Sequence, residues 1–249
     1  MSERTLNRVV ANATRILNTI AIDGSQTIAE ISENQDIPRS STYRIIESLE
    51  SLRMVWLDPL GRVHLGARLL YLGERAKVGI VEVRKAQPIL DDLKRLTGHT
   101  VYLCQLRDQR TICLDWRQGD KIGLPVLRPG MVLPNHASAA TLIHLAYDQV
   151  YEEYVLSLGE FSALTPHTPT NSPDLKQAIL ATRHDGYSIS DQDVTLGVAA
   201  VGMPFFDQTG ALRGSLSVAG LRDAVLESTH AIVGALRAAA TEMTVALHR

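Results

Sequence analysis

The chain has 249 residues and a mass of 27.3 kDa, enough for one large domain or two small ones. Hydrophobic residues make up 45% and charged residues 21%, with a formal net charge of −2. This balance excludes a disordered chain, a collagen-like fibre and a disulfide-stapled miniprotein, and it offers nucleic acid no global basic field. No apolar run reaches the roughly eighteen residues of a membrane span. Residues 1–8 lack the apolar core of a signal peptide, so the chain reads as cytoplasmic with no membrane partner. Asn12-Ala13-Thr14 matches a glycosylation sequon and, without secretion, is a coincidence on a helix.

Residues 1–66 stand apart, with seven arginines, no lysine and eight acids. Val9, Val10, Ala13, Ile16, Leu17 and Ile20 recur at helical spacing, and Asp23-Gly24 ends that helix. Thr27 with Glu30 three residues on is a capping box for a short second helix carrying Ile28 and Ile31. Asp36-Ile37 is a break, and Pro38 suits the first turn of a third helix over 38–52. Thr42, Ile45, Ile46, Leu49 and Leu52 form its buried stripe. Residues 54–57 and 62–65 read as short strands around the turn Asp58-Pro59-Leu60-Gly61. Three helices followed by a β-hairpin is the winged helix-turn-helix order.

Residues 67–86 read as a connecting helix with Leu69, Leu70, Leu72, Ala76 and Val83, breaking near Gly79. Pro88 restarts a helix carrying Ile89, Leu90, Leu93 and Leu96, stopped by Gly98. Beyond it, strands at 101–106 and 111–116 flank the turn 107–110. Helices follow at 138–146 and 151–158. Ser172-Pro173-Asp174 opens another, closed by Gly186. Strands at 187–190, 198–206 and 212–218 precede a long final helix over 224–247, which buries Ile232, Leu236, Ala240, Met243 and Leu247. Antiparallel hairpins with flanking helices give an α+β class with a sensor-like second part. The expected domains are 1–66, a connecting helix at 67–86, and 87–249.

At this point the chain resembles the IclR family of bacterial transcriptional regulators, over nearly its whole length. In the first part the resemblance rests on Pro38-Arg39-Ser40-Ser41-Thr42-Tyr43-Arg44-Ile45-Ile46 and Val63-His64-Leu65-Gly66. In the second it rests on the run 128–140 around Pro134-Asn135-His136-Ala137-Ser138, on Gly186-Tyr187-Ser188-Ile189-Ser190-Asp191-Gln192-Asp193, on the run 197–207, and on Leu216-Ser217-Val218-Ala219-Gly220. Two positions depart from the family pattern: Arg53 stands where a glycine usually ends the recognition helix, and Ala140-Thr141-Leu142 where a Gly-Lys pair is usual. The resemblance implies a repressor or activator that binds double-stranded operator DNA. It also implies a homodimer or tetramer with a GAF-like domain that senses a small organic acid or related metabolite.

For DNA reading, short polar residues and arginines are needed on the outward, N-terminal face of the recognition helix. Arg39, Ser40, Ser41, Tyr43 and Arg44 supply them, and Arg62 and His64 on the wing are further candidates. Residues 38–64 hold four arginines and three acids, a weak surplus that implies a shallow salt dependence and reliance on dimerisation. For the effector, Ser215, Ser217 and Ala219 alternate onto one strand face, and His136, Ala137 and Ser138 open a helix whose N–H groups favour a carboxylate. Asp191 and Asp193 sit before the adjacent strand. Leu124, Met131, Leu133 and Ala200 are expected in the lining, with Tyr102 a further candidate. The resemblance places Asp191, Ala200, Ser217 and Ala219, or their neighbours, beside ligand; two of these are alanine, which implies a larger or less polar effector than the smallest keto acids.

Two rival readings stand beside this one. A winged helix can dock protein instead of DNA. Ser138, His136 and Asp191 contain the residue types of a hydrolase triad, but Gly-x-Ser-x-Gly is absent and two of the three lie two residues apart. No phosphate loop or metal-ligand spacing is present, so no catalytic residue, metal or cofactor is expected. If the hairpin turns on Asp108-Gln109, cross-strand partners sum to 217 and Cys104 faces Cys113; the turn lacks the Asn-Gly or Asp-Gly that a two-residue loop prefers, so a longer loop with a shifted register is the alternative. The two cysteines are expected as reduced, packed thiols without a redox role.

Overall fold

The computed structural model describes residues 7–120 and 127–248. The chain divides into two compact units, the first ending at Gly79 and the second beginning at Ile80. The first contains α1 (Arg8–Asp23), β1 (Gln26–Thr27), α2 (Ile28–Asn34), α3 (Arg39–Ser51), β2 (Val55–Leu57), β3 (Arg62–Leu65) and α4 (Arg68–Gly79). Asn7 caps α1 through its side chain, and the Thr27–Glu30 capping box is formed in full. Ile16, Ile20, Ile31, Ile45, Ile46, Leu49, Val55 and Val63 make one core, and the small sheet runs β1-β3-β2, all antiparallel.

The expected stripe of α3 holds except at its end. Leu52 is 66% exposed, because it is the C-cap residue and leaves the helical phase of Leu49. Arg53 follows in the left-handed region, φ +57°. Its N–H donates to the Glu50 carbonyl at 2.8 Å, and the Met54 N–H to the Leu49 carbonyl at 2.8 Å. The turn therefore forms without the glycine that usually takes this backbone conformation. Pro38 stands at the N-cap position, one residue before α3 and not in its first turn, and makes no side-chain cap hydrogen bond. In α4, Leu70 and Tyr71 are exposed and no residue is buried, so of the stripe expected over 67–86 only Val83, which lies in the following helix, is buried.

The second unit contains α5 (Val81–Thr97), β4 (Thr100–Arg107), β5 (Arg110–Arg117), α6 (Ala139–Tyr147), α7 (Gln149–Leu156), α8 (Ser172–Asp185), β6 (Ser188–Asp191), β7 (Val198–Phe206), β8 (Leu212–Leu221), α9 (Arg222–Glu227) and α10 (Thr229–Leu247). Three expected boundaries move. The helix break falls at Ile80, and Pro88 lies inside α5; its exposed position lets the helix continue at the cost of one hydrogen bond. The cap of α8 is Asn171, whose side chain accepts the Asp174 N–H at 3.0 Å. The final helix is interrupted at Ser228.

Five antiparallel strands form one sheet in the order β5-β4-β8-β7-β6. Side chains alternate across a strand, and here the alternation separates two environments. Val101 and Leu103, then Ala199, Val201, Met203 and Phe205, then Leu216 and Val218, face the core with α5 and α10. Tyr102, Cys104, Ala200, Ser215, Ser217 and Ala219 are the residues between them. Gly202 belongs to this second set, and a Cβ there would lie 2.6 Å from Ser188 Oγ and 3.0 Å from the Ala139 carbonyl oxygen. Its lack of a side chain lets α6 approach the sheet.

The β4–β5 turn places Asp108 and Gln109 at φ +49° and +58°, the geometry of a two-residue hairpin turn. The register sums to 217 from Arg107–Arg110 to Cys104–Cys113, then shifts at a bulge so that Leu103 meets Asp115. Both cysteines are free and fully buried. The hydrogen bond with the Cys113 thiol, together with burial, holds the Cys104 thiol well above its ordinary pKa. A thiol reagent should find neither cysteine in the native protein and both after unfolding without reductant; a titration that finds none until reductant is added would mean a disulfide.

His144 of α6 is wholly buried, with Nδ1 2.8 Å from Thr111 Oγ1 and Nε2 3.4 Å from Ser215 Oγ. Burial lowers its pKa to about 3. The unfolded chain takes up this proton near pH 6.5 while the folded chain refuses it. Stability is therefore full above pH 6.5 and falls below it, by up to about 1.4 kcal/mol per pH unit for one such group. Between pH 6.5 and 4, the melting temperature of His144→Gln should fall less steeply than that of wild type; parallel curves would mean that His144 takes no part in acid destabilisation.

Candidate functional site

On the first unit, Arg39, Ser40, Tyr43 and Arg44 are exposed and Ser41 half-buried. Thr42, Ile45 and Ile46 hold the opposite side of α3 in the core, so this polar set is fixed outward by packing. Arg39 and Arg44 make no ion pair among the described residues. Two free guanidiniums on the leading turns of a recognition helix suit phosphates and guanine edges.

The wing candidates are placed differently. Arg62 donates to Ser25 Oγ at 3.3 Å and to the Ser25 carbonyl, and lies 3.8 Å from Glu30. His64 Nε2 is 2.9 Å from Asp58 Oδ2, and its ring stacks on Trp56 at 4.4 Å. Asp58 Oδ1 also accepts the N–H groups of Leu60 and Arg62, each at 2.9 Å. The His64 bond and the Arg62 N–H together hold the Asp58 carboxyl below its ordinary pKa. Arg62 and His64 thus brace the hairpin, whereas Arg39 and Arg44 on α3 make no ion pair among the described residues.

In the second unit a cavity of about 390 Å³ lies beside the sheet face that carries Ser217. Its floor is Thr100 and Tyr102 from β4, Ala200 from β7 and Ser217 and Ala219 from β8. One wall is the start of α6, Ser138 to Ala140, and another is Ser190 with the turn 194–198. Leu127 and the segment 131–134 close it from the β5 side, where the Cys113 N–H donates to the Met131 carbonyl at 3.0 Å. Among the described lining residues Tyr102 is the one titratable group, pushed up to about 12 by burial. Its phenol stays neutral.

Of the sequence candidates, Met131, Leu133, Ser138, Ala200 and Ser217 line the cavity together, with Tyr102 and Ala219. His136, Ala137, Asp191, Asp193 and Ser215 do not. His136 stacks on Phe161 at 4.9 Å and bonds Asn135 and the Ser162 carbonyl at 3.0 Å each. Ala137 is fully buried. Asp191 is held by Arg222 at 2.7 and 2.9 Å, and Ser215 lies against His144. The hydrolase constellation is therefore not assembled, since His136 and Asp191 are engaged elsewhere. Leu124 lies outside the described residues. Ser190, Thr195 and Leu196 are lining residues that sequence reasoning missed; Ser190 had a signal, since period two from Ser188 puts it on the face of Gly202 and Ala200, its partner in the β6–β7 register.

Ser138 shapes the start of α6. Its φ is +95°, rare for a residue with a side chain, and its N–H donates to Asp193 Oδ2 at 2.9 Å. Its hydroxyl accepts the Thr141 N–H at 3.2 Å. The first N–H groups of a helix have no partner within it, and Ala139 and Ala140, which carry two of them, line the cavity.

A winged helix bearing an outward polar recognition face, followed by an α+β unit with a cavity partly lined by hydroxyls, defines a ligand-responsive DNA-binding regulator. Comparison with known families agrees. Residues 77–245 match the bacterial transcriptional regulator IclR C-terminal domain and residues 9–59 the IclR helix-turn-helix domain; the chain belongs to the IclR family of transcriptional regulators. It is 24% identical to the HTH-type transcriptional repressor AllR of Escherichia coli over 90% of this chain and 84% of that protein. The IclR transcriptional regulator of Alicyclobacillus acidocaldarius has a TM-score of 0.84 at 27% identity, covering 97% of this chain and 99% of its own. An IclR homologue of Microbacterium hydrocarbonoxydans complexed with 4-hydroxybenzoate shares the fold, with a TM-score of 0.80 at 22% identity over 96% and 99% of the two chains. No helix of the described residues is long and apolar enough to cross a membrane.

Proposed function

We propose that this protein is a cytoplasmic repressor that binds operator DNA through α3 as a homodimer or tetramer and is released or retuned by a small organic acid. The DNA-reading residues are Arg39, Ser40, Ser41, Tyr43 and Arg44, with Arg62 and His64 shaping the wing. The DNA-binding part is residues 1–66 with 67–86 as connector, and 87–249 bind effector and assemble the oligomer. The effector site is the cavity framed by Ser138, Ala139, Ala140, Ser190 and Ser217; Asp193 supports it from behind, and no catalytic turnover takes place there.

The observation that carries this reading is the pair of N–H groups at the start of α6, without partners in the helix, beside a cavity lined by apolar side chains and hydroxyls. A carboxylate there gains hydrogen bonds and a favourable helix dipole. The test is a gel shift with the DNA beside the protein's own gene, repeated with small carboxylates that raise the melting temperature. An acid at one hundred times its dissociation constant should stabilise the fold by ~2.7 kcal/mol. A protein that ignores that DNA but captures a protein partner would support the docking reading, and turnover of simple esters would support the hydrolase.

A further inference from the structure

Asp193 does not line the cavity, yet it sets the hydrogen-bond polarity of the wall. The residue is 6% exposed. One of its carboxylate oxygens accepts the Ser138 N–H at 2.9 Å, and the other accepts the Ser190 hydroxyl. A hydroxyl has one proton and two acceptor lone pairs. The Ser190 proton is committed to Asp193, so Ser190 Oγ presents only lone pairs to the cavity it lines. Ser138 is engaged in the same way: its hydroxyl donates to Thr141 Oγ1 at 3.1 Å and accepts the Thr141 N–H. One carboxylate thus bridges the acceptor on Ser190 to the start of α6, where the Ala139 and Ala140 N–H groups are donors. Ser217, 5% exposed and lining the same cavity, makes no side-chain hydrogen bond among the described residues.

A ligand that satisfies this wall needs an acceptor group beside a donor. Resting on the assignment of this cavity as the effector site, we propose that the effector is a hydroxy acid. Its carboxylate meets the N–H groups of Ala139 and Ala140, and its neighbouring hydroxyl donates to Ser190 Oγ. The corresponding 2-oxo acid would set a carbonyl oxygen against the Ser190 lone pairs. The remainder of the effector is apolar, since Ala200, Ala219 and Leu133 line the interior and Val132, Leu196 and Leu221 are exposed at the lining.

The experiment uses the full-length protein and matched pairs of probes: lactate and pyruvate, 2-hydroxyisovalerate and 2-oxoisovalerate, mandelate and phenylglyoxylate. Dissociation constants come from calorimetry. In at least one pair the hydroxy acid should bind tenfold tighter or better. In Ser190→Ala that ratio should fall to near one. In Asp193→Asn the amide oxygen still accepts the Ser138 N–H while the NH₂ group faces Ser190 Oγ, which frees the serine proton; the preference should turn toward the oxo acid. If Asp193→Asn does not fold, Ser190→Ala decides alone. Equal or tighter binding of the oxo acids, or a ratio unchanged in a folded variant, overturns the proposal. So does the failure of both series to bind while the operator is still recognised; that result leaves the regulator reading in place, whereas loss of operator recognition itself would remove that reading.

Discussion

Replacing Arg44 by alanine abolishes specific operator binding and leaves the melting temperature unchanged. Arg44 is exposed on α3 and off the stripe of Thr42, Ile45 and Leu49, so the fold loses no packing. A bidentate arginine–guanine contact contributes ~1–3 kcal/mol of discrimination, and the proposed dimer would make it twice, so about 2–6 kcal/mol is lost. Affinity for operator then approaches that for random DNA. Gel shifts against operator and scrambled duplexes measure the ratio directly. An unchanged ratio removes Arg44 from the reading face.

Effector affinity falls about tenfold in Ser217→Val, in line with the ~0.5–1.5 kcal/mol of one neutral hydrogen bond. Operator binding by the ligand-free protein is retained. Valine matches serine in neither polarity nor hydrogen bonding, but it suits a β-strand, and its neighbours Tyr102 and Gly202 in the register leave the ladder intact. Calorimetry with whichever acid stabilises the protein reports the change. The same dissociation constant in both proteins would place the ligand away from β8.

Much of the fold was legible because local chemistry and tertiary packing agree. The capping box at Thr27, the stripe of α3 and the helix stop at Gly186 follow from spacing, while the Cys104–Cys113 pairing needed the two-residue turn on Asp108-Gln109 that the structure supplies. The misreadings share a cause: they depend on neighbours distant in sequence. Leu52 continues the α3 pattern, but nothing packs over it past the helix end. Pro88 looks like a helix start until its exposed side shows that α5 can run through it. The cavity was half legible. Alternation along β8 gives Ser217 and Ala219, whereas His136 and Asp191 carry suggestive chemistry that Phe161 and Arg222 occupy. No local signal in the sequence shows that Asp193 reaches Ser138, 55 positions away.

The alternation along β4, β7 and β8 has an evolutionary consequence. Every second residue belongs to the core that keeps the unit folded, and of the residues between them Tyr102, Ala200, Ser217 and Ala219 line the cavity. A lineage can therefore rewrite Tyr102, Ala200, Ser217 or Ala219 without disturbing Leu103, Val201 or Leu216. Fitness for a new metabolite and fitness for folding are inherited on opposite sides of one sheet, which makes this scaffold a ready starting point for retargeted biosensors.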